Sequence, residues 1–102
     1  MITRIVKMVF RPEEALPFEA LFESKKPLIA ASEGCLGVEL LKETSSNESG
    51  IIYFTRSIWD SENSLNKYRS SSLFDETWKQ TKAKFADKPE AWSTKIVSAK
   101  FE

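Results

Sequence analysis

Residues 51–59 of the chain read IIYFTRSIW, and this stretch decides the fold. Its β-branched and aromatic side chains predict a β-strand. Successive side chains of a strand point to opposite faces of a sheet. One face then carries Ile52, Phe54, Arg56 and Ile58, and the other carries Ile51, Tyr53, Thr55, Ser57 and Trp59. Large apolar groups lie on both faces of this strand, so each face needs a cover.

Outward from this strand, the sequence predicts further strands and helices. We expect strands from Thr3 to Phe10, from Cys35 to Lys42 and from Ala91 to Phe101. We expect helices from Glu13 to Ser32, after a cap at Asp60 or Ser61, and from about Leu73 to Ala86 behind the run Ser70, Ser71 and Ser72. A hairpin loop is predicted from Glu43 to Gly50. This order predicts an α+β fold of the ferredoxin-like type, βαββαβ with a four-stranded antiparallel sheet, as one domain over residues 1–102.

Two residues bear on the shape and on the end of the first helix. Pro27 lies inside the apolar pattern and predicts a bend near Lys26, because proline removes a backbone donor. Gly34 is placed to end the helix, since glycine adopts a left-handed conformation without steric cost.

In the predicted arrangement, the helices cover only one face of the sheet. A second copy of the chain, related by a two-fold axis, would bury the other face. We therefore expect a homodimer in which two sheets face each other as a barrel. The alternative is a monomer in which loops edge this face.

The composition excludes several classes of function. Fifteen basic and fifteen acidic residues cancel, so no positive field favours nucleic acid. No apolar run is long enough to span a membrane, and a soluble cytoplasmic protein is the default expectation. The chain has no histidine and one cysteine, Cys35, so we expect no disulfide, no metal site and no His-activated nucleophile. Cys35 is expected to be a small core residue.

The segment after residue 58 carries a more specific pattern. A strand ends in Trp59, an acidic-serine cap follows at Asp60 and Ser61, and Tyr68 precedes a break before a serine-capped helix that begins Leu73-Phe74. This pattern resembles the antibiotic biosynthesis monooxygenase domain family, the dimeric α+β barrels. The Gly34-Cys35 step and the length of the hairpin agree with it, and the resemblance covers nearly the whole chain.

The resemblance implies a substrate pocket between the helices and the sheet of one subunit. It implies a lining of Phe22, Tyr68, Phe74 and Trp78 from the helices, and of Lys7, Phe54, Arg56 and Trp59 from the strands. Phe22, Phe54 and Phe74 also sit at core spacing, so plain packing is the alternative for them. Trp59 and Trp78 are better pocket candidates, because large rings form good pocket walls and a buried indole needs a partner.

The haem-degrading branch of the family does not fit this chain. That branch carries a tryptophan, an axial histidine and an asparagine where this sequence holds Tyr68, Trp78 and Lys7. An indole cannot ligate iron, so we expect no haem and no other cofactor.

What the resemblance then implies is cofactor-free oxidation of a small aromatic or quinol-like molecule. Lys7 could act as the base, Tyr68 could relay or donate a proton, and Arg56 could hold the anion. A non-catalytic dimeric module that binds a small apolar ligand is the main rival, and a small isomerase is another. An ionisable group that points into an enclosed pocket beside an aromatic wall would favour the enzyme.

Overall fold

The computed structural model describes residues 1–45 and 50–101. Its strands are β1 (Ile2–Phe10), β2 (Cys35–Lys42), β3 (Ile51–Trp59) and β4 (Glu90–Thr94). Its helices are α1 (Ala15–Ala30), α2 (Glu62–Arg69) and α3 (Ser72–Lys82), and a single 3-10 turn (Pro12–Glu14) precedes α1. No helix within the described ranges is both long and apolar enough to cross a membrane.

The strands form one antiparallel sheet in the order β2-β3-β1-β4. The predicted ferredoxin-like α+β fold is confirmed. The predicted bounds of β2 and β3 match the observed ones residue for residue. Part of the predicted hairpin loop, residues 46–49, lies outside the described residues.

Three predicted elements were too long. The first helix, predicted from Glu13 to Ser32, spans Ala15–Ala30, because Glu13 and Glu14 belong to the 3-10 turn and the helix closes at Ala31. β4 ends at Thr94, because Thr94 already pairs with Thr3 near the start of β1 and little of β1 remains beyond it. Ile96 and Val97, predicted to lie in this strand, are exposed. Helix α3 ends at Lys82 and not at Ala86, because the Ala86 amide donates to the Val9 carbonyl at 2.7 Å and draws the chain to the sheet.

Helix α1 is continuous through Pro27 and ends at Ala30. Pro27 and Glu23 are both exposed, so water can bond the Glu23 carbonyl that proline leaves without a helical donor. Gly34 does not end this helix. It lies beyond Ala30 and adopts φ 80° in the turn that leads into β2.

Serine side chains begin the other two helices. Of the two caps that the sequence allowed for α2, Asp60 and Ser61, the structure has Ser61, and the predicted serine cap of α3 is Ser71. The Ser61 hydroxyl accepts from the Ser64 amide at 3.1 Å, and the Ser71 hydroxyl accepts from the Phe74 amide at 3.2 Å. The Ser71 hydroxyl also donates to the Tyr68 carbonyl at 2.6 Å. One side chain thus closes α2 and opens α3, which fixes the angle between them.

The helices pack on one face of the sheet around two clusters of buried side chains. The larger cluster contains Phe10 and Phe18, whose rings stack with centroids 4.0 Å apart, and Tyr53, whose hydroxyl donates to the Glu19 carboxylate. The smaller cluster contains Ile2, Leu65 and Trp59. Trp59 is 0% exposed, and its indole N–H donates to the Ser57 hydroxyl at 2.9 Å.

The opposite face of the sheet carries apolar and charged side chains that the described helices leave uncovered. Phe54 lies between Lys7 and Leu41 in the strand register, and Trp92, on the edge strand, is 45% exposed. Ion pairs join Lys7 to Glu90 at 3.8 Å and Arg56 to Glu39. The face therefore combines apolar groups with charges that are already paired.

The Gly34 turn generates a stability prediction. A methyl group at Gly34 would overlap the Ser64 side chain and come within 2.6 Å of Asp60 Oδ1, in a conformation that side chains disfavour. Gly34→Ala should therefore lower the free energy of unfolding by about 2–4 kcal/mol in a urea titration. Gly37→Ala is the matched control, because its added methyl meets no atom within 4 Å, and its change should stay within about 1 kcal/mol. Equal effects of the two substitutions would contradict this account.

Candidate functional site

A cavity of about 320 Å³ lies between the helices and the sheet. This volume falls at the lower end of the range for small-molecule pockets, roughly 300–1,000 Å³. Phe22 of α1, Tyr68 of α2, and Phe74 and Trp78 of α3 contribute its aromatic wall. Its floor is formed by strand side chains that face the helices, namely Arg4, Val6, Met8, Val38, Thr55 and Ser57.

The aromatic wall is one continuous series of ring contacts. Tyr68 stacks on Trp59 with centroids 5.0 Å apart, and Phe74 meets Tyr68 edge-on at 5.4 Å. Trp78 stacks with Phe74 at 6.0 Å, since residues four apart lie on the same side of a helix. The Ser71 cap sets this geometry, because it fixes where α3 begins relative to Tyr68.

Arg4 brings a positive charge to the floor of the cavity. It lies between Ser57 of β3 and Ser93 of β4 in the register, and its Nη1 donates to the Ser93 hydroxyl at 3.0 Å. Burial and the nearby guanidinium of Arg69, which also lines the cavity, lower the pKa of Arg4 from its usual value. An arginine nevertheless stays protonated at neutral pH, so the cavity holds a cation.

Tyr68 contributes a phenol to the cavity lining. Burial, and to a lesser extent the Cys35 thiol, raises the pKa of Tyr68 to about 12. The phenol therefore stays protonated near neutral pH and serves as a hydrogen-bond donor, not as a base. Within residues 1–45 and 50–101, no group forms a hydrogen bond with the Tyr68 hydroxyl.

Thr77 of α3 brings a buried hydroxyl to the same lining. Its Oγ1 forms no hydrogen bond with any described residue. A buried hydroxyl without a partner is costly.

The ionisable side chains of the lining are few. They are Arg4, Arg69 and Tyr68; Glu90 also borders the cavity, but its carboxylate pairs with Lys7 at 3.8 Å on the uncovered face. In the part of the chain that the structure describes, no group of three or more His, Cys, Asp or Glu side chains is placed to hold a metal ion. The cavity is suited to an aromatic molecule with one or more oxygen atoms, bound by the guanidinium and the phenol.

Comparison with known protein families identifies the family to which the chain belongs. Residues 1–80 match the family model described as antibiotic biosynthesis monooxygenase. The match covers well over half of the sequence. The chain belongs to the antibiotic biosynthesis monooxygenase family.

Solved structures show the same fold. A crystal structure described as an antibiotic biosynthesis monooxygenase aligns with a TM-score of 0.85 at 13% identity, over 96% of this chain and 100% of that one. A protein from Methanosarcina mazei Go1 aligns with a TM-score of 0.82 at 23% identity, over 92% of this chain and 91% of that one. A mutant of SnoaB, a cofactor-independent oxygenase from Streptomyces nogalater, aligns with a TM-score of 0.83 at 15% identity, over 96% of this chain and 94% of that one. None of the curated protein sequences matches this chain significantly.

The site residues that the family resemblance implied fall into two groups, those that line the cavity and those that do not. Phe22, Tyr68, Phe74 and Trp78 line the cavity. Trp59 does not; it lies behind Tyr68 as a fully buried support for the wall.

Lys7, Phe54 and Arg56 lie on the uncovered face of the sheet. The register pairs Lys7 with Phe54 and Glu90, and pairs Arg56 with Glu39, all on the side away from the helices. The opposite placement of Trp59 and Arg56, predicted from strand alternation, is confirmed. The three residues therefore face away from the cavity of their own protomer.

Sequence reasoning missed Arg4, Arg69 and Thr77. A signal for Arg4 was present, because it shares the alternation of Ile2, Val6 and Met8 and interrupts that apolar stripe with a charge. Thr77 and Arg69 adjoin Trp78 and Tyr68 in sequence, but only the packed helices bring all of these residues to one cavity.

The unpartnered hydroxyl of Thr77 generates a prediction with a definite sign. Thr77→Val keeps the shape and removes the buried polar atom, so it should raise the free energy of unfolding of the ligand-free protein by about 1 kcal/mol. Thr81→Val is the matched control on the same helix, because the Thr81 hydroxyl already donates to the Thr77 carbonyl at 2.7 Å. The control should leave stability unchanged or lower it in the same thermal and urea measurements. A destabilised Thr77→Val variant would show that this hydroxyl is satisfied in the ligand-free protein.

Proposed function

We propose that this chain catalyses the cofactor-independent oxidation of a small aromatic or quinol-like molecule in the cavity between its helices and sheet. The observation that carries the proposal is that a charged guanidinium, Arg4, and a phenol without a hydrogen-bond partner among the described residues, Tyr68, line the same aromatic cavity. Membership of the monooxygenase family and the fold shared with a cofactor-independent oxygenase support it.

The first step is ionisation of the substrate. The Arg4 guanidinium favours the anionic form of a bound phenol or active methylene group, because a nearby cation stabilises negative charge. The neutral Tyr68 phenol donates a hydrogen bond to the same oxyanion. Since no lining side chain is an evident proton acceptor, the proton leaves to water.

The substrate anion then supplies the electrons. It transfers one electron to dioxygen, and the resulting radicals combine to form a carbon–oxygen bond. The peroxide anion so formed takes a proton back from water and becomes a hydroperoxide. For an anthrone, loss of water from this hydroperoxide converts the methylene carbon to a carbonyl. One oxygen atom of dioxygen enters the product and the other leaves as water, so no external reductant is needed. The apolar wall protects the radical pair from solvent.

A ligand-binding module without catalysis is the second candidate. The observation that favours it is the lack of an evident base in the lining, where Tyr68 has a pKa of about 12 and Glu90 is paired with Lys7. Oxygen consumption distinguishes the two candidates directly.

The catalytic proposal predicts dioxygen uptake with anthrones or naphthohydroquinones, measured with an oxygen electrode. Tyr68→Phe keeps the ring stack and removes the donor, so kcat/KM should fall by roughly 100-fold. Arg4→Gln should reduce it at least as much, because the anion loses its counter-charge. Lys7→Ala tests the base that the family resemblance implied, and a larger loss in that variant would move the chemistry to the other face of the sheet. The absence of uptake with every substrate would favour the binding module.

We further propose that the protein works as a homodimer in the cytoplasm, with the uncovered sheet faces of two copies packed together. Phe54 lies near the middle of that face, between Lys7 and Leu41. The ion pairs Lys7–Glu90 and Arg56–Glu39 are already formed within one chain, so a partner need not supply their counter-charges.

The dimer proposal is tested by light scattering at micromolar protein concentration. Phe54→Glu places an unpaired charge within the proposed interface and should give a monomer. Leu16→Glu is the matched control, because Leu16 is 75% exposed on α1, away from the proposed interface. The control variant should remain dimeric. A monomeric wild-type protein under these conditions would refute the dimer.

A further inference from the structure

We propose that Arg4 and Arg69 form a carboxylate-binding subsite in the cavity, so that the protein selects aromatic ligands that carry an acid group. The inference rests on the proposed function only in taking this cavity as the ligand site. It adds a substrate class and two specificity-determining residues.

The two arginines of the cavity lack a counter-charge among the described residues. Neither Arg4 nor Arg69 forms an ion pair with a carboxylate of the described residues. Among the described residues, the Arg4 side chain bonds only the neutral hydroxyl of Ser93, at 3.0 Å. The lining therefore contains two cations, half-buried Arg4 and solvent-exposed Arg69, that repel each other and that a bound anion would neutralise.

Polar side chains flank Arg4 on the two neighbouring strands of the cavity floor. Ser57, Arg4 and Ser93 stand side by side on three adjacent strands. The Ser57 oxygen accepts from the Trp59 indole at 2.9 Å, which leaves its own hydroxyl proton available to a ligand oxygen. The adjacent row, Thr55, Val6 and Ala91, is mostly apolar. Polar donors are thus concentrated on one row of the cavity floor.

The match of shape and chemistry is a further support. A guanidinium presents parallel N–H groups that fit the two oxygens of a carboxylate. Phe74, Trp78 and Phe22 supply flat apolar surfaces for a ring system attached to that carboxylate. The cavity volume of about 320 Å³ suits a compact aromatic acid.

A matched pair of probes tests this inference by direct binding. Dissociation constants of 1-hydroxy-2-naphthoate and its neutral amide, 1-hydroxy-2-naphthamide, are measured by tryptophan fluorescence and calorimetry with the full chain. The acid should bind about 10-fold or more tightly than the amide, as expected for charge-assisted hydrogen bonds. Arg4→Gln and Arg69→Gln should each weaken binding of the acid and change binding of the amide by less than about 2-fold.

Two further variants complete the design. Lys95→Gln removes one positive charge from an exposed position beyond β4 and should preserve the preference for the acid. Arg4→Lys keeps the charge but loses the planar fork, so it should retain only part of that preference. Comparison of acid and amide within each folded variant separates the subsite from a general loss of structure.

Each possible result either supports or overturns the carboxylate subsite. Equal binding of acid and amide, or weak binding of both, would overturn the subsite. Oxygen uptake without an acid preference would leave the proposed oxidation standing and remove this inference. An acid preference that depends on Arg4 and Arg69, without oxygen uptake from any substrate, would support the subsite and remove the oxidation.

Discussion

The alternation of side chains along β1 is the constraint on which the rest of the molecule depends. Arg4, Val6 and Met8 face the helices and form the floor of the cavity, whereas Lys7, between Val6 and Met8, faces the other way. A shift of one residue in the pairing would exchange the two sets. It would bring Lys7 into the cavity and expose Met8, so burial of the core and the chemistry of the cavity are fixed by the same register.

The cavity exists because the helical layer is divided. The Phe10–Phe18 cluster lies beneath α1, and the Trp59–Leu65 cluster lies beneath α2. Members of both clusters, Phe18 and Leu65 among them, line the space between. The Ser71 cap turns the chain from α2 into α3 over this space and places the aromatic wall there. Trp59 does not touch the ligand space, yet its stack with Tyr68 holds one end of the wall.

Local signals in the sequence were sufficient for the fold. The alternation of Ile51–Trp59, the serine caps and the order of elements all point to the same architecture, and the structure has it. The end of β4 was not predictable in this way, because it depends on where β1 runs out of partners. The end of α3 depends on a hydrogen bond to Val9 that lies far away in sequence.

The site was predictable only in its apolar half. The resemblance to the family implied Phe22, Tyr68, Phe74 and Trp78 as pocket residues, and these four line the cavity. The resemblance to the family also implied Lys7 and Arg56 as pocket residues, but strand parity puts both on the far side of the sheet. Parity alone could have identified Arg4, since it shares a face with Val6 and Met8. Arg69 and Thr77 required the packed helices, because their positions around the cavity follow from tertiary contacts.

Two polar side chains of the cavity lining, Arg4 without a carboxylate partner and Thr77 without a hydrogen-bond partner among the described residues, are the strongest argument that the cavity binds a ligand. A leucine or methionine in place of Arg4 would continue the apolar stripe of β1, and a valine in place of Thr77 would fill the same volume. Folding alone therefore gives no reason for a guanidinium without a carboxylate or for a buried hydroxyl without a partner. Sequence choices that oppose local stability are expected at functional sites. In this chain such residues converge on one cavity, where an oxygen-bearing aromatic ligand would pair with the Arg4 guanidinium and the Tyr68 phenol.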